Sequence, residues 1–481
     1  MRNAITLSPK IKSFLMFFIV HAFILAIVFV ALNSVTSVDY NSFVKLCWVA
    51  NIVFLIELII LRFKFKTLIH HTVLFDIVLF LFTFGQCILY SFNVEPSTFS
   101  IIEYVSIESL VKALKFAIPA YICFVFGSII GSKEKVFQKS SDITPNAKKW
   151  AYVFMFIGLV PFVATMVNNI SIVASSGYNY FYEEGVRISN VITFFSYYFY
   201  VGLFLLSISN EKNIRITSFI ILFGVTLVYF LCGDRGTAIS LLLSVFFLFV
   251  YNRSGATKKK KHLLLLIIVL IVSMSSVSII SDWRSSNFSS SFFSVALKSL
   301  KTNNIFTSTL SNLGGTMYAL AKTIDLVPSD SSFIYGGSYF ASLVLLVPSF
   351  FRVGFLGVID STPIYSSPAS WLVNTLNLSY GAGYTPFAES YLNFGLAGIP
   401  FMILLGWFFG KIFTISYGKK NNIVYPMQIF AFFLLVMSAR GSFNYVFAFW
   451  IRYLLIPVFC ISFIGFENSS YNGKKAFICN R

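Results

Sequence analysis

Apolar residues run along this chain in blocks of roughly twenty, separated by short polar breaks, from near the first residue almost to the last. A helix needs about 20 such residues to cross the hydrocarbon core of a bilayer. The pattern predicts spans near 13–32, 43–61, 72–92, 112–131, 150–168, 191–209, 215–232, 236–251, 262–281, 394–413, 423–439 and 444–464. The expected fold is an all-α polytopic membrane protein with about 12 transmembrane helices, which puts both ends on one side. Its expected divisions are 1–281 with nine spans, 282–393 as one long loop, and 394–481 with three spans and a tail. Within that loop, helical patterns fall near 291–300 and 308–323. An apolar patch from Phe340 to Phe351, broken by Pro348 and closed by Arg352, reads as re-entrant or interfacial.

Composition sharpens the picture: 57% of the residues are hydrophobic, 19% aromatic and only 11% charged. Soluble domains carry about 25% charged residues, so a soluble fold is excluded. The first apolar run is too long for a signal-peptide core, and Asn33-Ser34-Val35-Thr36 offers no small-x-small cleavage site, so it reads as an uncleaved span. The six cysteines follow no disulfide or zinc spacing and read as apolar filler.

A net charge of +18 raises nucleic acid as a partner, but 24 of the 36 Lys and Arg residues fall on one side once both termini are placed in the cytoplasm. Membrane topology accounts for the charge, and no nucleic-acid partner is expected. The clusters Lys258–Lys261 and Lys133, Lys135, Lys139, Lys148 and Lys149 are then orientation signals facing anionic lipid headgroups. Counting the 340–351 patch as a full span would turn Lys411, Lys419, Lys420, Lys474 and Lys475 outward, against the same rule. The long loop then lies on the outer side of the membrane.

Arginines on the wrong side of that rule need another reason to be there, and Arg187, Arg235, Arg284, Arg352 and Arg440 are such residues. Two sit in matching turns, Gly233-Asp234-Arg235-Gly236-Thr237 and Ser438-Ala439-Arg440-Gly441-Ser442. Glycine admits close backbone approach, a following helix begins with unpaired N–H groups, and guanidinium adds a bidentate donor, which together suit a pyrophosphate. The alternative is that each Arg reaches to lipid headgroups and each Ser or Thr caps a helix.

Arg452 falls inside the last span, where Glu57 or Asp76 could pair with it; the weightier reading makes the two carboxylates structural pairs in the bundle, Asp76 lying near enough to the cytoplasmic end to reach water. The polar and aromatic stretch Tyr380–Tyr391, containing Tyr384 and Tyr391, suits stacking on sugar rings. Glu389 there is a candidate general base, a helix cap or an Arg partner. His21, His70, His71 and His262 all fall in spans or at their cytoplasmic ends. The sequence has no Asp-x-Asp metal motif, P-loop or GxSxG elbow, which leaves a metal-free, cofactor-free reaction with a pre-activated donor.

Gly336-Gly337-Ser338-Tyr339, Val347-Pro348-Ser349 and Glu389-x-Tyr391-x-x-Phe394-Gly395-x-x-Gly398 resemble bacterial O-antigen polymerases, as do the span number and the long loop. The resemblance implies a GT-C-type membrane glycosyltransferase that moves a growing glycan from undecaprenyl diphosphate onto a newly flipped lipid-linked unit. Arg235 and Arg440 would then hold the leaving diphosphate and Glu389 would orient or deprotonate the acceptor. Arg187, Arg284, Arg352, Tyr384 and Tyr391 would bind lipid diphosphate or sugar. Membrane lipids, a flippase and a chain-length regulator are the partners it implies. The rival readings are a lipid-linked oligosaccharide flippase and an O-antigen ligase. Ligases related to this family are thought to use an outer-loop histidine, which this chain lacks.

Overall fold

A computed structural model describes residues 8–133, 142–183, 189–252 and 305–464, apart from 98, 233, 348–350, 379, 380 and 382, with a few single residues between 253 and 304. The described residues form helices and turns with no strand, and the chain is a multi-pass membrane protein. Among the described residues eight helices are long and apolar enough to cross a bilayer, and three shorter apolar ones, Asn190–Leu206, Gly236–Phe249 and Val424–Arg440, stand with them. Together they match eleven of the expected spans. The ninth, 262–281, lies outside the described residues, as does the helical pattern near 291–300.

Local chemistry sets the helix ends. Ser8 precedes Pro9 at the start of Pro9–Asn33, and the Asp39 carboxylate accepts the Ser42 N–H at 2.7 Å to begin Tyr40–Phe65. Lys66, at φ 58°, closes that helix in the left-handed conformation common at C-termini.

Ile107–Gly131 packs closely along Gly398–Thr414. Gly127 and Gly131 on one face Gly406 and Gly410 on the other, each spaced four apart. A Cβ on Gly127 would meet the Ile403 carbonyl, one on Gly406 the Phe124 carbonyl, and one on Gly410 would lie 2.6 Å from the Ser128 carbonyl oxygen. Lipid offers no hydrophobic drive for helices to associate, so close backbone contact through small residues does that work.

Two buried carboxylates inside the bundle stand beside local polar partners. His21 Nε2 lies 3.2 Å from Glu57, while its Nδ1 lies 2.7 Å from the Phe17 carbonyl oxygen. Ser128 donates to Asp76 at 3.1 Å, and Asp76 is fully buried. Neither carboxylate meets Arg452: the two acids are used structurally, between the first, second, third and 107–131 helices, as the structural reading expected, and full burial of Asp76 corrects only the expectation that it reaches water.

The loop covers one end of the bundle. Ile305–Leu313 and Met317–Leu326, joined by a 3-10 turn at Gly314–Thr316, lie across the end of His71–Ser91. Gln86 fastens them there, its amide donating to the carbonyls of Phe99 at 2.7 Å and Ser311 at 2.9 Å. Gly337–Val344 then packs beside Phe443–Trp450, the first part of the last span. Pro386–Phe394 leads into Gly398–Thr414 through Gly395, whose φ of 56° breaks one helix from the next.

Candidate functional site

The two Arg-Gly turns lie at the same end of the bundle and share a cavity of about 370 Å³. Asp234, Gly236 and Thr237 contribute one wall, Ser438, Arg440, Gly441 and Ser442 another, and Gly381, Gly383 and Tyr384 of the loop a third. Tyr197 and Phe449 close its inner end, where Tyr197 stacks on Tyr453 at 4.9 Å between ring centres. Three segments far apart in sequence therefore meet around one space.

Each turn is held by a carboxylate. Asp234 starts the helix Arg235–Asn252, its two oxygens accepting from the Thr237 N–H at 3.1 Å and the Thr237 hydroxyl at 2.7 Å. Past the second turn, the N–H of Phe443 donates to Glu389 Oε2 at 2.6 Å. The helix starts are thus already capped by acids, one local and one from the loop, which differs from the free N–H groups expected there. Attraction for an anion falls to the guanidinium side chains.

Arg440 has no hydrogen bond or ion pair among the described residues. Gly383 makes room for it: a Cβ there would stand 2.9 Å from Arg440 Nε and 3.1 Å from its Cγ, and the residue already has φ of 66°. The cavity therefore presents an unpaired cation, an exposed carboxylate at Asp234 and hydroxyls from Thr237, Ser438 and Ser442. This set suits a ligand that combines an anion with a polyhydroxyl body.

Glu389 is fully buried and is not on the cavity wall. Its Oε1 accepts from the Ser338 hydroxyl at 2.7 Å, and Ser338 Oγ in turn accepts from the Asn393 amide at 2.8 Å. The carboxylate thereby joins three elements: the helix it belongs to, the Gly337–Val344 helix, and the first residue of the last span.

A family model described as O-antigen polysaccharide polymerase Wzy matches residues 13–469. The chain belongs to that family. Comparison with curated proteins and with solved structures gives no match. In this polymerase-family chain two of the runs that carried the sequence resemblance, Gly336–Tyr339 and Glu389–Gly398, meet in space, while Pro348 and Ser349 of the third lie outside the described residues. Ser338 of the Gly-Gly-Ser-Tyr run touches Glu389, and Tyr339 stacks on Phe394, ring centres 6.0 Å apart and planes at 9°. The Tyr339 hydroxyl is buried without a hydrogen-bond partner.

The other expected residues divide. Tyr384 forms cavity wall, its hydroxyl 3.2 Å from Thr323 Oγ1 and its pKa raised by burial, so it stays protonated. Tyr391 is turned away: its hydroxyl donates to the Val327 carbonyl at 3.3 Å and its ring meets Phe116 edge-on at 5.2 Å. Arg352 is engaged elsewhere, donating to the carbonyls of Val347 at 2.6 Å and Leu345 at 3.1 Å and pairing with Asp360 at 2.6 Å. Arg187 and Arg284 lie outside the described residues. Arg235 begins its helix at the cavity edge, and its side chain lies outside them too. Sequence reasoning missed Asp234 and Tyr197 as cavity residues. Asp234 was legible as the acid before Arg235, but nothing in the sequence brought Tyr197 to it.

Proposed function

We infer that this chain polymerises undecaprenyl-diphosphate-linked oligosaccharide repeat units into O-antigen or a related surface polysaccharide. It works at the periplasmic face of a bacterial inner membrane, with both termini cytoplasmic and a GT-C-type architecture. The observation that carries the reading is the single cavity into which the two Arg-Gly turns and the loop converge, with the Arg440 guanidinium unengaged.

The donor's diphosphate lies against Arg440, with Arg235 at the neighbouring helix start. The acceptor sugar's hydroxyl oxygen attacks the donor's anomeric carbon, and the carbon–oxygen bond to the diphosphate breaks. The electron pair leaves with the diphosphate, whose growing charge the guanidinium stabilises. The hydroxyl proton passes to Asp234, the one carboxylate among the described cavity residues; its oxygens retain free lone pairs after accepting from Thr237. Energy comes from the glycosyl-diphosphate bond, and no metal takes part. Glu389 supports the site by holding the start of the last span.

The test is a lipopolysaccharide gel from cells lacking this protein, complemented with wild type or Arg440→Ala. Loss of the ladder with one capped repeat retained, at unchanged protein level, is the expected result. Loss of every repeat would point instead to a flippase or a ligase. Arg440→Lys is also expected to be poor, since it loses the bidentate fork.

A further inference from the structure

Several tyrosines stand in or beside the cavity with their hydroxyls engaged. Tyr384 keeps its hydroxyl 3.2 Å from Thr323 Oγ1, Tyr200 donates to the Tyr229 hydroxyl at 3.0 Å, and Tyr198 donates to the Arg452 carbonyl at 3.4 Å. Tyr197 is different. It lines the cavity, is half-buried, and its hydroxyl makes no hydrogen bond among the described residues. A tyrosine hydroxyl has one proton to give and lone pairs to receive, and one set among apolar rings ordinarily finds a partner. Here the place for that partner is the cavity.

The Tyr197 ring is held stiffly. It stacks on Tyr453 with centres 4.9 Å apart and planes at 17°, and it meets Phe449 at 4.8 Å and Tyr200 at 5.9 Å. Phe449 and Tyr453 are themselves in contact at 5.3 Å along the last span. Tyr200, nearly one turn on from Tyr197, ties the Asn190–Leu206 helix to Tyr229 of Lys212–Leu231, and the Tyr229 carbonyl accepts the Asp234 N–H at 3.0 Å. One framework therefore carries both the Tyr197 hydroxyl and the Asp234 carboxylate. Groups placed in advance in this way orient a ligand without the cost of ordering side chains first.

Charge decides which part of a ligand meets this hydroxyl. The charged group within its electrostatic reach among the described residues is Asp234. The apolar part of the cavity wall is Leu434, Met437, Val446 and Phe449, the last in contact with the Tyr197 ring. A diphosphate is repelled by the carboxylate and drawn to Arg440. A sugar suits this corner instead, with hydroxyls for the carboxylate and the phenol and C–H faces for the apolar wall. Hydroxyls on neighbouring carbons of a pyranose stand a hydrogen-bond length apart, so when Asp234 holds one, the next falls within reach of a donor beside it.

We propose that Tyr197 is a specificity-determining residue: its hydroxyl hydrogen-bonds the acceptor sugar's hydroxyl next to the attacking one, which holds the attacking hydroxyl at Asp234 and rejects acceptors that lack the neighbour. The assignment rests on the reading of the cavity as the polymerisation site and names the part of it that recognises the acceptor. A site built to pair with a sugar hydroxyl discriminates against the analogue without it, because the protein group is then left unpaired.

The test measures binding, apart from polymerisation. The repeat-unit oligosaccharide, released from its lipid, is titrated by calorimetry into purified full-length protein in detergent, beside a set of analogues each lacking one hydroxyl of the acceptor sugar. Wild type, Tyr197→Phe and Asp234→Asn are compared, with thermal melting run on each. Tyr197→Phe keeps the stacked ring and loses the hydroxyl, so wild-type melting and about three- to tenfold weaker binding of the parent sugar are expected, the worth of one neutral hydrogen bond. In wild type one analogue loses the same factor, and in Tyr197→Phe that analogue and the parent bind alike, a coupling that a merely structural tyrosine does not produce. Additive losses, or wild-type binding of the parent by folded Tyr197→Phe, would overturn the proposal. Inorganic pyrophosphate is titrated as well: equal affinity in wild type and Tyr197→Phe is expected, and weaker binding in the variant would assign the hydroxyl to the leaving group and refute the acceptor role. Should Tyr197→Phe fail to fold, the wild-type set decides. At least two weakened analogues are expected, of which Asp234→Asn erases one, and a single weakened analogue would refute the proposal. Failure of the polymerase reading shows separately, as this same discrimination in a protein that lengthens no glycan.

Discussion

Replacing Glu389 separates a residue that holds the site from one that takes a proton. The carboxylate is fully buried and accepts two hydrogen bonds, from Ser338 Oγ at 2.7 Å and from the Phe443 N–H at 2.6 Å. Glu389→Ala removes both acceptors and leaves two buried donors unpaired, each costing about 1–3 kcal/mol, or roughly 2–6 kcal/mol together. Glu389→Gln keeps its carbonyl oxygen for Phe443 and turns its amide to Ser338 Oγ, leaving only the serine proton without an acceptor, a loss of about 1 kcal/mol. The glutamine variant is therefore expected to polymerise within about tenfold of wild type, and the alanine variant to lose both activity and melting temperature. If Glu389 were the general base, glutamine would remove the proton acceptor and lower the rate by about 10²–10⁴. The assay is turnover of a lipid-linked repeat by purified protein, alongside melting in detergent. A glutamine variant with wild-type melting and more than hundredfold lower turnover would refute the positioning role and return Glu389 to the chemistry.

Asp234→Asn is expected to keep most of its helix cap while lowering turnover by about 10²–10⁴, measured in the same assay, because the amide cannot take the acceptor's proton. Gly383→Ala would set a Cβ 2.9 Å from Arg440 Nε on a backbone with φ of 66°, so turnover should fall at least tenfold by a rough geometric argument, with the protein still reaching the membrane. Gly127→Ala would drive a Cβ into the Ile403 carbonyl and push apart the backbones that pack through glycine, so reduced yield and melting temperature are expected whatever the substrate.

The spans were legible because each must offer an unbroken apolar length to the bilayer, and that demand is written locally in the chain. Long-range partnerships were not. The matching turns at Arg235 and Arg440 could be seen in the sequence, yet only folding brings them, with Gly383, to one cavity. Glu389 reads from the sequence as a candidate base, a helix cap or an Arg partner at the outer end of a span, and burial does raise its pKa to about 7. Its neighbours Ser338 and Phe443 are 51 and 54 residues away, and no local pattern announces them. Glu57 and Asp76 could be read from the sequence as partners of Arg452 or as structural pairs in the bundle; helix neighbours decide such pairs, and His21 and Ser128 stand beside them. The paired Gly-x-x-x-Gly runs at 127–131 and 406–410 were legible as a local pattern, and they mark a close backbone contact in the bundle.

The central claim is that the Arg440 cavity joins two lipid-linked repeats by releasing a diphosphate. Its most direct test is to reconstitute the purified chain in liposomes with an undecaprenyl-diphosphate-linked repeat as the sole substrate, without added metal, and to follow glycan length and free undecaprenyl diphosphate together. The predicted result is a ladder of products with one undecaprenyl diphosphate released per linkage, and neither signal from Arg440→Ala. Movement of intact repeats across the bilayer with no lengthening and no diphosphate release would contradict it.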